Sequence, residues 1–205
     1  MPSIYDLKPK FQNLLRPLLN FLVNKKITPN MVTIAALIGS LIAGGLIAFA
    51  FSYPKLLLIL PIWLFLRMAL NAIDGMMARE YNMASNLGAV LNELGDVLSD
   101  CFIYLPLAFV NPEALWFIVF FSIGAIITEF SGLLGKALGV SRHYEGPMGK
   151  SDRAFIVGAL SLFSAFFVKI ISYWGVIFLI LSLMTIWTSK NRIAKVLAEL
   201  KESKK

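Results

Sequence analysis

Carboxylates and carboxamides recur at fixed intervals in one stretch of this chain: Asn71 and Asp74 stand three residues apart, and Asn92, Asp96 and Asp100 stand four apart, with Gly75, Ala78, Arg79 and Gly88 between the two sets. Steps of three and four put side chains on one face of a helix, so each set presents its oxygen atoms in one direction. Oxygen ligands converging from two helices suit a hard cation such as Mg²⁺ or Mn²⁺. A carboxylate beside a hydroxyl can also take its proton. Gly75, Ala78 and Gly88 lack bulk, which permits close helix packing or approach of backbone to a ligand.

The elements that carry these groups are apolar. The 205 residues are 58% hydrophobic and only 15% charged, with mean hydropathy +0.75, well above the apolar share of an average soluble domain. The composition predicts an all-α integral membrane protein. Six apolar stretches, at 31–51, 56–79, 87–110, 114–138, 154–168 and 172–189, are read as spans against the ~20 residues a membrane helix needs. The last two are short, and a hairpin turning near Lys169 accommodates them at small mismatch cost. Ionisable groups at membrane depth are costly without partners or a task, so the polar cluster is a candidate functional site.

Basic residues set the orientation. Sixteen of the 19 Lys and Arg fall in segments on one side of the six spans, only Lys55 and Lys169 on the other, and Arg67 within the second span. The positive-inside rule then places both termini, and the polar cluster, in the cytoplasm. The net charge of +7 follows from topology, suits anionic headgroups and needs no nucleic-acid partner. The expected location is the cytoplasmic (inner) membrane.

Residues 1–30 contain no compact apolar core of a cleavable signal. Leu7, Phe11, Leu14, Leu15, Leu18 and Leu22 instead form one stripe of a helix, read as an N-terminal amphipathic helix on the membrane interface or as a docking helix; Pro17 is expected to kink it. Residues 31–189 are expected to form a six-helix transmembrane domain that carries the candidate site, and 190–205 a basic tail that continues the last helix. Cys101 is the only cysteine, so no intrachain disulfide forms.

Asp74-Gly75-Met-Met-Ala78-Arg79, eight residues, Gly88, three residues, Asn92, three residues, Asp96 resembles the signature of the CDP-alcohol phosphotransferases, in which D-x-x-D-G-x-x-A-R precedes G-x-x-x-D-x-x-x-D. Every spacing matches, and Thr28-Pro29-Asn30-Met-Val-Thr33 resembles the segment that opens that family's first span. The resemblance implies displacement of CMP from a CDP-linked lipid by an acceptor alcohol in phospholipid synthesis, and a homodimer. It gives Asp96 the role of base, shared with metal binding, and Asp74 that of metal ligand. Gly75 and Ala78 would line the cytidine pocket, with Asn30 and Gly88 beside it. Arg79 is a nucleotide or phosphate contact, or a snorkelling helix end.

Two motif positions depart from the pattern. The first and third carboxylates are Asn71 and Asn92, whose carbonyls can ligate a hard cation but bring no charge, so the formal charge of the set falls from minus four to minus two. At least one metal is expected, held by Asp74 and Asp96 with Asn71 and Asn92 assisting, and Asp100 or Glu93 as candidates to make up the loss. The segment from Ser141 to Arg153 is rich in basic groups; Lys150 and Arg153 are candidates for phosphate or headgroup contact, although topology alone also places cations there. His143 is read as a loop residue. Arg67 is expected to pair with a carboxylate, Glu129 being its partner or a cavity group. Two rival readings are a catalytically silent CDP-lipid binder and an ion-coupled transporter; transport requires a polar path that the apolar residues beyond Asp100 do not supply.

Overall fold

The computed structural model describes residues 4–203, with side chains from Pro9 onward; residues 1–3, 204 and 205, and the Leu7 side chain of the amphipathic stripe, lie outside the described residues. The described residues form eight α-helices: α1 (Ile4–Asn24), α2 (Pro29–Ile47), α3 (Ile59–Glu80), α4 (Asn86–Tyr104), α5 (Leu107–Val110), α6 (Leu115–Ala137), α7 (Lys150–Phe166) and α8 (Trp174–Glu202). Short 3-10 segments at Pro54–Leu58, Pro112–Ala114 and Val168–Tyr173 join them, and no strand occurs among the described residues.

Local chemistry explains the helix starts. Thr28 accepts the Met31 amide and Pro29 occupies the first helical position of α2, while Ser85 accepts the Gly88 amide to start α4; both are favoured N-terminal arrangements. The stretch expected as one span over 87–110 is broken after Tyr104, because Pro106 has no amide proton to continue the helix, and resumes briefly as α5. The expected turn near Lys169 is the 3-10 segment Val168–Tyr173. Helix α8 runs through residue 189 without a break.

All six expected spans fall on helices, but only four segments are long and apolar enough to cross a membrane on length and composition: Pro29–Ile47, Pro54–Glu80, Pro112–Ala137 and Val168–Glu202. Helix α4 falls outside because it carries Glu93, Asp96 and Asp100, and α7 because it has 17 residues. Helix α2 packs on α3 and α4, α3 on α7, and α6 on α8. Close approach is bought with glycine: a Cβ at Gly44 would strike the Phe102 carbonyl of α4, and one at Gly124 the Thr185 side chain of α8, the small-residue contact typical of membrane helices. The main core stacks Tyr104, Phe121, Phe178 and Trp174 edge to face or tilted. Large apolar side chains such as Ile38, Ile42, Phe120 and Ile186 are exposed around the bundle, a girdle too extensive for a soluble monomer.

Helix α1 is continuous through Pro17. It lies against α3, with Leu19 fully buried in a small cluster with Ile73, Met76 and Met77, and is tied down by Arg16 to Glu80 (2.8 Å) and Tyr81 to Asn20 (2.6 Å). Leu14, Leu18 and Phe21 remain exposed.

Candidate active site

The C-terminal half of α3 and the first turns of α4 are joined by a short turn in which Asn82 takes a positive φ of 54°, a conformation Asn tolerates better than most residues. This turn brings the two motif halves face to face across the N-terminus of α2. Between them lies a cavity of ≈ 300 Å³. Of the residues singled out by spacing, Asn71, Asp74, Gly75, Ala78 and Arg79 line it from α3, and Gly88 and Asn92 from α4; Asn30 lines it from α2.

Asp74 is 5% exposed and its Oδ2 lies 2.8 Å from the Thr33 hydroxyl. Thr33 carries no signal within the α3–α4 motif; only the crossing of α2 over α3 makes it a partner. The two motif glycines have distinct tasks. A Cβ on Gly88 would come within 2.8 Å of Asn30 Oδ1 and 3.0 Å of Ser85 Oγ, and one on Gly75 within 3.2 Å of the Arg79 guanidinium. Glycine at these positions admits polar groups to the cavity wall.

Asp96 stands behind Asn71. Its Oδ1 accepts Asn71 Nδ2 at 3.2 Å, forms an ion pair with Lys150 and lies 3.6 Å from Arg67. Among the described residues Oδ2 has no protein partner. Lys150 therefore reaches the cluster by way of Asp96, from the first turn of α7.

Deeper in the bundle the expected site residues take other partners. Asp100 shares its helix face with Asp96, but its Oδ1 takes Arg67 (2.6 Å) and its Oδ2 takes Arg153 (2.8 Å). With both oxygens committed to guanidinium groups, Asp100 is not available to a metal at the cavity. Arg153 is likewise withdrawn from phosphate contact: it is fully buried and donates also to Glu129, Thr128 and the Met148 carbonyl. Arg67 pairs with Asp100 rather than Glu129, which is shared by Arg153 and Arg142. Glu93 is turned to Arg142. These long-range pairs depend on where α6 and α7 pack, which the spacing within α4 does not encode.

The loop after α6 is strapped to α8. Ser141 donates its amide and hydroxyl to Glu199, and His143 sits 2.9 Å from Glu199 and 3.3 Å from Glu145. His143 is thus a loop tether. Partial burial alone would raise the Glu145 carboxyl, but a backbone hydrogen bond, Lys195 and His143 hold it down at about 2. A carboxyl depressed in the folded state stabilises it above the unfolded value, 4.5, and that contribution is lost as pH falls through the folded one. Acidification from pH 4.5 toward 2 is expected to loosen this loop before the bundle. Amide hydrogen exchange across residues 139–149 measures it; uniform loss of protection with α6 would contradict the expectation.

A family model described as CDP-alcohol phosphatidyltransferase matches residues 26–188. The chain belongs to the CDP-alcohol phosphatidyltransferase family. Like other CDP-alcohol phosphatidyltransferases it is an enzyme of that class, and the motif cavity falls inside the matched region. It is 44% identical over 195 residues to the inner membrane protein YnbA of Escherichia coli K12, covering 95% of this chain and 96% of that one, in keeping with a multi-pass membrane protein. Two crystal structures of Mycobacterium tuberculosis phosphatidylinositol phosphate synthase share the fold. The form with CDP-DAG bound matches with TM-score 0.73 and 22% identity over 88% of this chain and 92% of that one. The form with manganese and citrate matches with TM-score 0.75 and 21% identity over 88% of each.

Proposed function

We propose that this CDP-alcohol phosphatidyltransferase moves a phosphatidyl group from CDP-diacylglycerol to a small alcohol at the cytoplasmic leaflet, releasing CMP. The observation that carries the reading is the arrangement of Asp74 and Arg79 on the cavity wall with Asp96 one layer behind, one of its oxygens unpartnered by protein. Guanidinium at Arg79 is placed to hold phosphate oxygens. Asp96 Oδ2 accepts the acceptor's hydroxyl proton as its oxygen bonds to the lipid-bearing phosphorus, the diphosphate P–O bond breaks and CMP leaves with the electron pair. Thr33 and Asn71 fix the two carboxylates, Asp74 and Asp96 respectively.

The oxygen-rich cluster would hold a hard divalent cation, Mg²⁺ or Mn²⁺, through Asp74, the carbonyls of Asn71 and Asn92 and the Asp96 oxygen without a protein partner among the described residues, which then serves both the ion and the proton. When bound, such an ion neutralises the diphosphate and stabilises the leaving phosphate. The reading retains six spans, with α4 and α7 crossing inside the bundle, both termini cytoplasmic, α1 on the interface through Leu14, Leu18 and Phe21, and a homodimer as the family resemblance implies. The apolar layer of Ile103, Tyr104 and Leu107, all fully buried, disfavours a transport path.

The test is CMP release from CDP-diacylglycerol by the purified protein in lipid, with Mg²⁺, Mn²⁺ or chelator, across glycerol phosphate, inositol phosphate, serine and amino alcohol acceptors. Metal-dependent release with one acceptor supports the transferase and names its product. Absence of release with every acceptor, with CDP-diacylglycerol binding intact, would leave a silent binder. Gly88→Ala displaces the Asn30 side chain and is expected to weaken CDP-diacylglycerol binding about tenfold, or ~1.4 kcal/mol, by equilibrium titration. Unchanged affinity would remove Asn30 and Gly88 from the donor pocket.

A further inference from the structure

The cation count of the site differs from what four motif carboxylates would call for. Asn71 and Asn92 leave Asp74 and Asp96 as the two anionic motif groups, and among the described residues no three His, Cys, Asp or Glu side chains converge as a metal-binding group. Asp100 and Glu93, the nearest replacements, are engaged by Arg67, Arg153 and Arg142. The two carboxylates that remain carry the charge that balances one divalent ion, not two.

Lys150 is the group that changes the balance. It pairs with Asp96 from the first turn of α7. A cation in the first turn faces the positive end of the helix dipole, which opposes it. Asp152 in the same turn, bonded to the Gly149 amide at 3.0 Å, and Asp96 across the cluster offset that opposition. A lysine in this locally unfavourable place is held by the site rather than by its own helix. Its side chain is 27% exposed, so the ammonium is neither sealed in the core nor free in solvent.

We propose that the Lys150 ammonium takes the place of a second divalent cation, so that the enzyme binds its diphosphate donor with one metal ion and one built-in lysine charge. The charges close on this count. Asp74 and Asp96 against Lys150 and Arg79 sum to zero, so a single divalent ion balances the two negative charges of a CDP-lipid diphosphate; a second ion would leave the site with an uncompensated double positive charge. The inference rests on the phosphotransferase reading for the identity of the donor, but the ion count does not.

The experiment is Mn²⁺ binding to the purified protein in lipid nanodiscs, counted by electron paramagnetic resonance of the free ion, with CDP-diacylglycerol titrated in parallel at saturating Mn²⁺. Wild type is expected to bind one Mn²⁺ per chain. Lys150→Met is expected to lose at least tenfold in CDP-diacylglycerol affinity, Lys150→Arg to lose less, and the triple change Asn71→Asp, Asn92→Asp, Lys150→Met to take a second Mn²⁺. Circular dichroism and the unfolding midpoint confirm that each variant is folded. Two Mn²⁺ ions on wild type, or a folded Lys150→Met with wild-type donor affinity, would overturn the proposal. If wild type binds no CDP-diacylglycerol at any metal concentration, the donor assignment fails, while one ion on wild type and two on the triple variant still support the ion count.

Discussion

Asp96→Asn is expected to lower CMP release by about 10²- to 10⁴-fold, the range for loss of a general base, while CDP-diacylglycerol binding falls far less. The reason lies in how the carboxylate is divided. Oδ1 is committed to Asn71, Lys150 and Arg67, which fixes the orientation of the group and leaves Oδ2 as the proton acceptor. An amide is isosteric and keeps an oxygen for the Lys150 contact, but it cannot take the hydroxyl proton. The cavity wall proposed for the donor is formed by Asp74, Arg79 and the α2 N-terminus, which the substitution leaves in place, so donor binding loses one carboxylate of the metal set and keeps its pocket. Single-turnover release measured beside equilibrium donor binding separates the two effects. Equal release by wild type and variant would remove Asp96 from the chemistry.

Asp100→Leu is expected to act on stability instead. It removes the anion shared by Arg67, 3% exposed, and Arg153, fully buried, leaving Arg67 only the longer ion pair with Asp96 at 3.6 Å and Arg153 only that with Glu129. Removing one partner of a buried charge set costs about 3–5 kcal/mol, because the charges left behind are under-compensated and out of reach of water. The expected result is a large fall in the unfolding midpoint in a denaturing-detergent titration, with release lost in proportion to folded protein. Had Asp100 been a metal ligand, the same change would abolish metal-dependent release from a stable protein, so the two measurements together decide between a structural and a catalytic carboxylate. Glu129 retains Arg142, Arg153 and Arg192 in the variant, so the outer part of the network persists.

Why the sequence does not reveal the partners of Asp100, yet does put Asp74 and Asn92 on shared helix faces, is a matter of range. The cavity wall is built from steps of three and four within α3 and α4, and helix geometry makes such steps legible without any tertiary knowledge. Asp100 obeys the same periodicity as Asp96, but its role is set by Arg67 on α3 and Arg153 on α7, 33 and 53 residues away. Lys150 was recognised as a cation near the site, whereas its pairing with Asp96 requires the N-terminus of α7 to arrive beside α4. The six apolar runs all fall on helices, yet α4 does not qualify as a span on composition, because it carries Glu93, Asp96 and Asp100, the polar groups that mark it as functional. Pro106 could have signalled the break after Tyr104, since a proline inside a helix removes a hydrogen bond.

The buried layer of Ile103, Tyr104, Leu107 and Phe121 has a kinetic consequence. It closes the bundle beyond the cavity, so on the proposed function donor and spent nucleotide share the α2–α3–α4 mouth. A turnover cycle through a shared mouth obliges CMP to depart before the next CDP-lipid docks. CMP should then act as a competitive product inhibitor against the donor, and turnover at high CMP should be governed by how fast the mouth is cleared.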